Sequence, residues 1–346
     1  LIGVNLADVP DVVPEPLRFT APSGGSVEVA TPVVLAPMAG ITNPAYRQLC
    51  LEQGAGLYVC EMITSRGIVE RIPKTFGMLQ FAPGETVRSV QLYGVDADIM
   101  ARAAHILCEE FGVHHIDLNL GCPVPKVTRR GGGGALPWKT DRLESILRAT
   151  VKAADAHGVP VTVKTRMGID DDHLTYLDAG RIAQDAGVAA IALHARTVQQ
   201  AYAGEARWEH IATLVDAVDI PVLGNGDIWE GADALRMVEQ TGAAGVVIGR
   251  GCLGRPWLFR DLADAFAGRP VQPYPTLGEV TAMLRRHAVL LAELHGERWG
   301  LTDLRKHMAW YFKGFPIGGD LRRAFATVSS LAELDENIAQ LDPTAT

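Results

Sequence analysis

At 346 residues the chain is long enough for one large domain with an appendage, or for two domains. Its 48% hydrophobic and 21% charged residues fit a soluble globular protein, and no apolar run approaches the ~18–20 residues that cross a bilayer. A net charge of −8 excludes a surface that is basic all over, and five scattered cysteines without a C-x-x-C pair support neither a disulfide framework nor a zinc site. That cysteine usage points to a reducing, cytoplasmic setting.

In chain order, Leu1 to Pro16 lack a basic start followed by an apolar stretch, so no secretory leader is expected there. Residues 17–34 read as a β-hairpin, with Pro22-Ser23-Gly24-Gly25 as the turn and Val27 and Val29 alternating with Glu28. Its expected job is to plug the closed end of a barrel. Strand-like runs follow at Val33–Ala36, Leu57–Cys60, Ser89–Leu92, His115–Asn119, Val161–Lys164, Ala190–His194, Val222–Gly224 and Gly245–Ile248. Helical periodicity lies between them at Asp96–Phe111, Asp141–Ala156, Tyr176–Ala186, Trp208–Ala217 and Gly231–Thr241. Eight strand–helix units predict an α/β fold, a (β/α)8 TIM barrel, over residues 1–268. A doubly wound open sheet would want G-x-G-x-x-G after the first strand, and Ala36-Pro37-Met38-Ala39-Gly40 is not that.

The proline-punctuated stretch Arg269–Pro275 reads as a linker, and from Thr276 to Leu341 the pattern is helical. Residues 269–346 are therefore expected to form a C-terminal all-helical domain, with Leu284, Ala288, Leu291 and Leu294 as one apolar stripe. Residues 280–323 hold 8 basic against 4 acidic side chains, which suits either a solvated helical surface or a face that meets nucleic acid.

Chemistry in such a barrel sits at the C-terminal ends of the strands. Those ends read Pro37-Met38-Ala39, Glu61-Met62, Gln91, Asn119 to Cys122, Lys164 with Arg166, His194 with Arg196, Asn225-Gly226-Asp227 and Gly249-Arg250. Cys122 stands between Gly121 and Pro123, on a turn rather than in core filling, which favours a functional thiol over a small buried hydrophobe. An ammonium at Lys164 on a buried strand requires a partner. Glycine-rich turns after strands seven and eight, with Arg250 in one, are placed to cradle a phosphate. A phosphate cradle, a lysine, a glutamine and an isolated thiol together suggest flavin mononucleotide across the barrel mouth, its ring edge held by Gln91 and Lys164.

The runs Ala36-Pro37-Met38-Ala39-Gly40-Ile41-Thr42-Asn43, Asp117-Leu118-Asn119-Leu120-Gly121-Cys122-Pro123, Val163-Lys164-Thr165-Arg166-Met167-Gly168, His194-Ala195-Arg196-Thr197 and Gly224-Asn225-Gly226-Asp227-Ile228 resemble those of the tRNA-dihydrouridine synthases, the bacterial B type most of all. The resemblance spans roughly residues 17 to 325. It implies a flavin-dependent oxidoreductase that reduces the C5–C6 bond of uridines in tRNA, with NADPH or NADH as reductant and tRNA as partner. No metal, membrane or protein partner is implied. By position it implies FMN contacts at Pro37, Met38, Ala39, Gln91, Lys164, Asn225, Gly226, Asp227, Gly249 and Arg250, with His194 beside the cofactor or the base. It puts the proton donor on Cys122 and a reader of the uracil edge on Asn119. A thiol that gives a proton should have no cation hydrogen-bonded to its sulfur.

In that light Arg285, Arg286, His287, Arg298, Arg305, Lys306, Lys313, Arg322 and Arg323 are expected to line a groove for tRNA phosphates near Trp310, Tyr311 and Phe312, with Arg285, Arg286, Arg305 and Lys306 as the contacts to neutralise. Lys126, Arg129 and Arg130 after the cysteine could add to it. Two departures from the family pattern stand out: Pro125 replaces a second lysine, and Gly131–Gly134 replaces a mixed loop, which predicts a more mobile Cys122 segment. A flavin enzyme acting on free pyrimidines, or an RNA-binding barrel without chemistry, are the rival readings; the basic helical tail opposes the first and the intact strand ends the second.

Overall fold

Period-two burial appears first in β1 (Leu17–Thr20) and β2 (Ser26–Val29), whose inward residues Leu17, Phe19, Val27 and Val29 alternate with exposed ones. The computed structural model describes residues 14–54 and 56–346, so the leader reading of Leu1–Pro16 falls outside the described residues up to position 13. The antiparallel hairpin packs its apolar face on Val34, Leu57, Ala190, Ala192, Leu223 and Val247, the inward side chains of the barrel floor. Burying Phe19 alone contributes about 2–3 kcal/mol, and its ring stacks on His115 at 5.5 Å, closing the barrel from below.

Nine parallel segments make the main sheet: β3 (Val33–Leu35), β4 (Leu57–Tyr58), β5 (Ile63–Thr64), β6 (Ser89–Tyr93), β7 (His115–Leu120), β8 (Val161–Arg166), β9 (Ala190–His194), β10 (Val222–Asn225) and β11 (Gly245–Ile248). Their order is β4-β3-β11-β10-β9-β8-β7-β6-β5. The two edges belong to one interrupted strand, and a parallel bridge from Val59 to Ser89 joins them, with Cys60 N donating to Ser89 O at 3.1 Å. The barrel thus closes on eight strands, the second of them broken. Each strand alternates: Ile116, Leu118 and Leu120 face the helices, whereas His115, Asp117 and Asn119 face the axis.

Five helices lie where periodicity places them, at Ala97–Phe111, Thr140–Asp155, Tyr176–Asp185, Glu209–Val215 and Gly231–Thr241. In the first, Met100, Ala103, Ala104 and Leu107 form the buried face, while Ile99 and Ile106 are half-buried at its margins. The small alanines let it lie close against Thr140–Asp155. Helices Pro44–Leu51, Ser65–Val69 and Leu258–Phe266, which the periodicity does not mark, complete the ring.

Beyond the linker come helices Leu277–His295, Glu297–Tyr311, Gly319–Thr327 and Leu331–Ile338. The first starts on a capping box between Thr276 and Glu279. Of its stripe, Leu284, Ala288 and Leu291 are fully buried and Leu294 is half-buried. This cluster takes in Ala45, Leu49 and Trp257 from the barrel, and Arg286 pairs with Glu52 at 2.6 Å across the seam. Gly254, at φ +68°, passes so near Trp310 that a Cβ would sit 2.3 Å from its carbonyl carbon. Only glycine lets the helix end rest on this turn. Among the described residues no helix is long and apolar enough to cross a membrane.

Candidate active site

The C-terminal ends of the strands open into a cavity of about 520 Å³, within the range of small-molecule sites. Pro37, Met38, Ala39, Gln91, Asn119, Cys122, Lys164, His194, Asn225, Gly226, Asp227, Gly249 and Arg250 all line it. Residues far apart in the chain meet there because parallel strands end at one level, so the last inward side chain of each strand and its loop face a common space.

Lys164 Nζ donates to Asn225 Oδ1 at 2.9 Å, and Asn225 Nδ2 donates to Val247 O at 2.7 Å. Protein encloses the ammonium except toward the cavity; burial, with Arg166 nearby, pulls its pKa down to about 7, and Asp117 opposes that. Among the described residues two of its three donors have no protein acceptor. Burial and the surrounding Lys164, Arg166, Arg196 and Arg250 hold His194 well below the usual imidazole range, so it is neutral. Lys164, Arg166 and Arg250 line the cavity against a single carboxylate, Asp227. That carboxylate is already engaged: it accepts two bonds from Arg196 at 2.8 and 2.7 Å and one from Ala206 N at 2.7 Å, and Arg250 lies at 3.4 Å. Asp227 does this from a left-handed backbone, φ +55°, a strained conformation that costs about 1–3 kcal/mol. The mouth therefore carries unbalanced positive charge and suits an anion.

The glycines of the two expected phosphate turns have different causes. A Cβ on Gly224 would strike Met237 Sδ at 2.2 Å, and one on Gly251 would strike Ile228 O at 2.1 Å, so packing requires both. Gly249 alone has open space, its nearest neighbour being Ala36 Cβ at 3.9 Å.

Cys122 is half-buried and a free thiol. Its N–H donates to Asn119 Oδ1 at 2.9 Å, and its carbonyl accepts from Gly134 N at 3.0 Å. Arg166 donates instead to the carbonyls of Gly121 at 2.9 Å, Thr197 at 3.0 Å and Ala201 at 2.7 Å, tying the β7 and β9 loops together. Among the described residues no hydrogen bond reaches Cys122 Sγ. The glycine run is not slack: Gly132, Gly133 and Gly134 are buried, and a Cβ on Gly133 would lie 2.7 Å from Cys122 O. These glycines admit the cysteine backbone rather than loosen it. Asn119 has its carbonyl on two backbone N–H groups and its amide on Gln91 Oε1 at 2.9 Å and Met62 Sδ at 3.4 Å, so it holds the loop.

Two loop aromatics that the sequence pattern does not single out also line the cavity. Tyr202 and Trp229 flank Arg250, with the guanidinium 4.8 and 5.7 Å from their ring centres, and Trp310 reaches the cavity from helix Glu297–Tyr311. Nothing in the local pattern marks a loop aromatic as facing a mouth. The four helical cations lie outside the cavity lining: Arg285 pairs with Asp335, Arg286 with Glu52 and Lys306 with Asp303, while Arg305 donates to the carbonyls of Val328 and Thr327. On the outer wall His105, Glu109 and His157 cluster, with His105 Nδ1 3.0 Å from His157 Nε2.

Fold and site define an α/β-barrel enzyme whose positively charged mouth holds a single thiol. A model of the family described as Dihydrouridine synthase (Dus) matches residues 34–345. The chain is 56% identical over 328 residues to a probable tRNA-dihydrouridine synthase of Mycobacterium tuberculosis, covering 92% of this chain and 84% of that protein. It is 37% identical to tRNA-dihydrouridine synthase B of Vibrio vulnificus, over 88% and 94% of the two chains. The chain belongs to the dihydrouridine synthase family. Among solved structures, an old yellow enzyme homologue from Zymomonas mobilis shares the fold with a TM-score of 0.53 and 13% identity, over 75% of this chain and 94% of that one. Histamine dehydrogenase from a Rhizobium species does so with a TM-score of 0.57 and 13% identity, over 98% and 66%.

Proposed function

We propose that this enzyme reduces the C5–C6 double bond of uridines in tRNA to 5,6-dihydrouridine, in the cytoplasm, using FMN at the barrel mouth and NADPH or NADH as reductant. One observation carries the reading: a cavity of about 520 Å³ with surplus positive charge faces Cys122. The residues fit FMN in two respects. A buried ammonium, Lys164, has donors to spare for a ring edge, and Gly249 with Arg250 leaves backbone and guanidinium open to a phosphate. When bound, FMN supplies the hydride.

The chain's own residues do the rest. Gln91 and Lys164 would orient the ring, and Pro37, Met38 and Ala39 would cover one side of it. Asn225 would hold Lys164 in place, and Asp227 would aim Arg250. Cys122 Sγ–H would give its proton to C5 of the uracil. Residues 269–346 would act as the tRNA-binding domain, with Arg285, Arg286, Arg305 and Lys306 meeting phosphates, while Asn119 holds the proton donor beside the base. Extracting a base from an irregular tRNA loop costs less than from a duplex.

Cys122→Ala is expected to purify with flavin colour and still oxidise NADPH, yet to leave tRNA uridines unreduced. Dihydrouridine mapping of tRNA incubated with each form measures this. Full turnover by the variant, or a colourless wild-type protein, would overturn the reading.

A further inference from the structure

Beneath the cavity the inward side chains of β6, β7 and β8 join in one hydrogen-bonded chain along the barrel axis. Ser89 Oγ lies 2.7 Å from His115 Nδ1, and His115 Nε2 lies 2.9 Å from Thr162 Oγ1. Thr162 Oγ1 is 2.6 Å from Asp117 Oδ1, and Gln91 Nε2 is 2.7 Å from Asp117 Oδ2. Asn119 Nδ2 then meets Gln91 Oε1 at 2.9 Å, and Asn119 Oδ1 receives the N–H groups of Gly121 at 3.2 Å and Cys122 at 2.9 Å. Ser89, Gln91, His115, Asp117 and Thr162 are all buried.

Hydroxyls, primary amides and a neutral imidazole can each be turned to donate or accept toward a given neighbour. A carboxylate only accepts. With Asp117 ionised, Thr162 must donate its hydroxyl, so its oxygen is left to accept from His115 Nε2–H. His115 Nδ1 then carries the lone pair that takes the Ser89 hydroxyl. On the other side Gln91 must turn its NH2 to Asp117. Its carbonyl is then free for the NH2 of Asn119, and the Asn119 carbonyl faces the two N–H groups of the cysteine loop.

We propose that Asp117 is a positioning residue of the site. Its charge sets the direction of the hydrogen bonds that run from Thr162 through His115 to Ser89, and by accepting from Gln91 it holds, through Asn119, the backbone of Gly121 and Cys122 at the mouth. Asp117 touches neither the thiol nor the loop itself. Burial pushes its carboxyl up to about 6, with the Thr162 and Gln91 bonds and Lys164 opposing that, so it remains an anion at neutral pH. Burial pushes His115 down to about 3, so the imidazole is neutral and has a definite tautomer. Where the loop sits does not depend on the reaction; its catalytic use rests on Cys122 being the proton donor.

The test reads the tautomer and the loop separately, on the intact holoenzyme and without tRNA, so it can fail independently of the assigned reaction. Nitrogen-15 NMR of the wild-type protein should show His115 protonated at Nε2. In Asp117→Asn the amide can keep its carbonyl on Gln91 only by giving its NH2 to Thr162. The Thr162 hydroxyl then donates to His115 Nε2, and the imidazole proton moves to Nδ1. The loop should stay closed in that variant, with Cys122 reacting with iodoacetamide at the wild-type rate by peptide mass mapping. In Asp117→Leu, which has no acceptor, Cys122 should react at least about tenfold faster. A wild-type His115 protonated at Nδ1, or an unchanged tautomer in Asp117→Asn, overturns the proposal. So does an unchanged Cys122 rate in a folded Asp117→Leu. If Asp117→Leu does not fold, the tautomer in the other two proteins decides.

Discussion

Asp117 and Lys164 are ionisable groups that a stability-optimised interior would not contain. The Asp117 carboxyl stands at about 6 against 3.8 in the free residue, a shift caused first by burial. A carboxyl raised by folding binds its proton more readily in the native state. Its charge therefore opposes folding above about 6, and that opposition fades as pH falls toward 3.8. The shift corresponds to about 3 kcal/mol at neutral pH, as an order of magnitude. Asp117→Asn, which cannot ionise, is expected to unfold at higher urea than the wild type at pH 7.5, with the gap closing below pH 5. Urea titrations at the two pH values check this, and a variant less stable at both would contradict it. Lys164 has the opposite sign: lowered to about 7 from 10.5, its ammonium opposes folding below about 7, and the penalty is gone once pH passes 10.5. A bound anion would remove much of that penalty, which is a physical reason for a site to keep such a lysine. The strand pattern marks Lys164 as an anomaly but not Asp117, which reads as an ordinary polar position of an alternating strand. Their partners, Asn225 for Lys164 and Thr162 with Gln91 for Asp117, lie on other strands and are set by register.

Among elements, the helix Pro44–Leu51 is the one that local pattern least suggests and that the architecture most needs. Asn43 caps it by accepting from Tyr46 N, and Pro44 opens it. Its Arg47 is fully buried, pairing with Glu85 at 2.5 Å and donating to the carbonyls of Thr42 and Gln80 at 2.7 Å each. Its Tyr46 hydroxyl donates to Cys252 O at 2.5 Å, next to the turn that holds Gly249 and Arg250. The helix thus braces the loop containing Pro37–Ala39, the turn after β11 and the helical region. Arg47→Ala would strand Glu85 in the interior and is expected to cost about 3–5 kcal/mol by urea unfolding. A loss under 1 kcal/mol would mean that water reaches the carboxylate. An eight-residue segment with an arginine at its centre looks, in sequence, like a surface turn; only the carboxylate brought by a distant loop makes burial possible.

For the molecule as a whole, a net charge of −8 coexists with a positive mouth, because acidic residues are spread over the surface while Lys164, Arg166 and Arg250 converge. Convergence of charge, not its total, governs steering of a polyanion. The helical cations have structural partners: Arg285, Arg286 and Lys306 sit in ion pairs and Arg305 secures the end of helix Gly319–Thr327. Neutralising all four should weaken tRNA binding and flatten its salt dependence by roughly 0.7–0.9 in log–log slope per lost phosphate contact. Filter binding across a salt series tests this, with urea unfolding to separate lost contacts from lost packing. An unchanged slope would move the RNA path to the loops after Cys122, where Lys126, Arg129 and Arg130 are exposed, as are Lys139 and Arg142 beside Trp138.

The sequence by itself determined the alternation of strands and helices, the hairpin, the helical tail and the residue types at each strand end. These are local consequences of period and turn chemistry. Tertiary structure alone decided which strand ends face one another, that β4 and β5 are halves of one strand, and that the glycines beside Cys122 are close-packed. It also decided that a buried carboxylate lower on the same strand, linked through Gln91 and Asn119, orders the bonds that hold the cysteine loop. Those depend on register and closure, which no stretch of chain carries by itself.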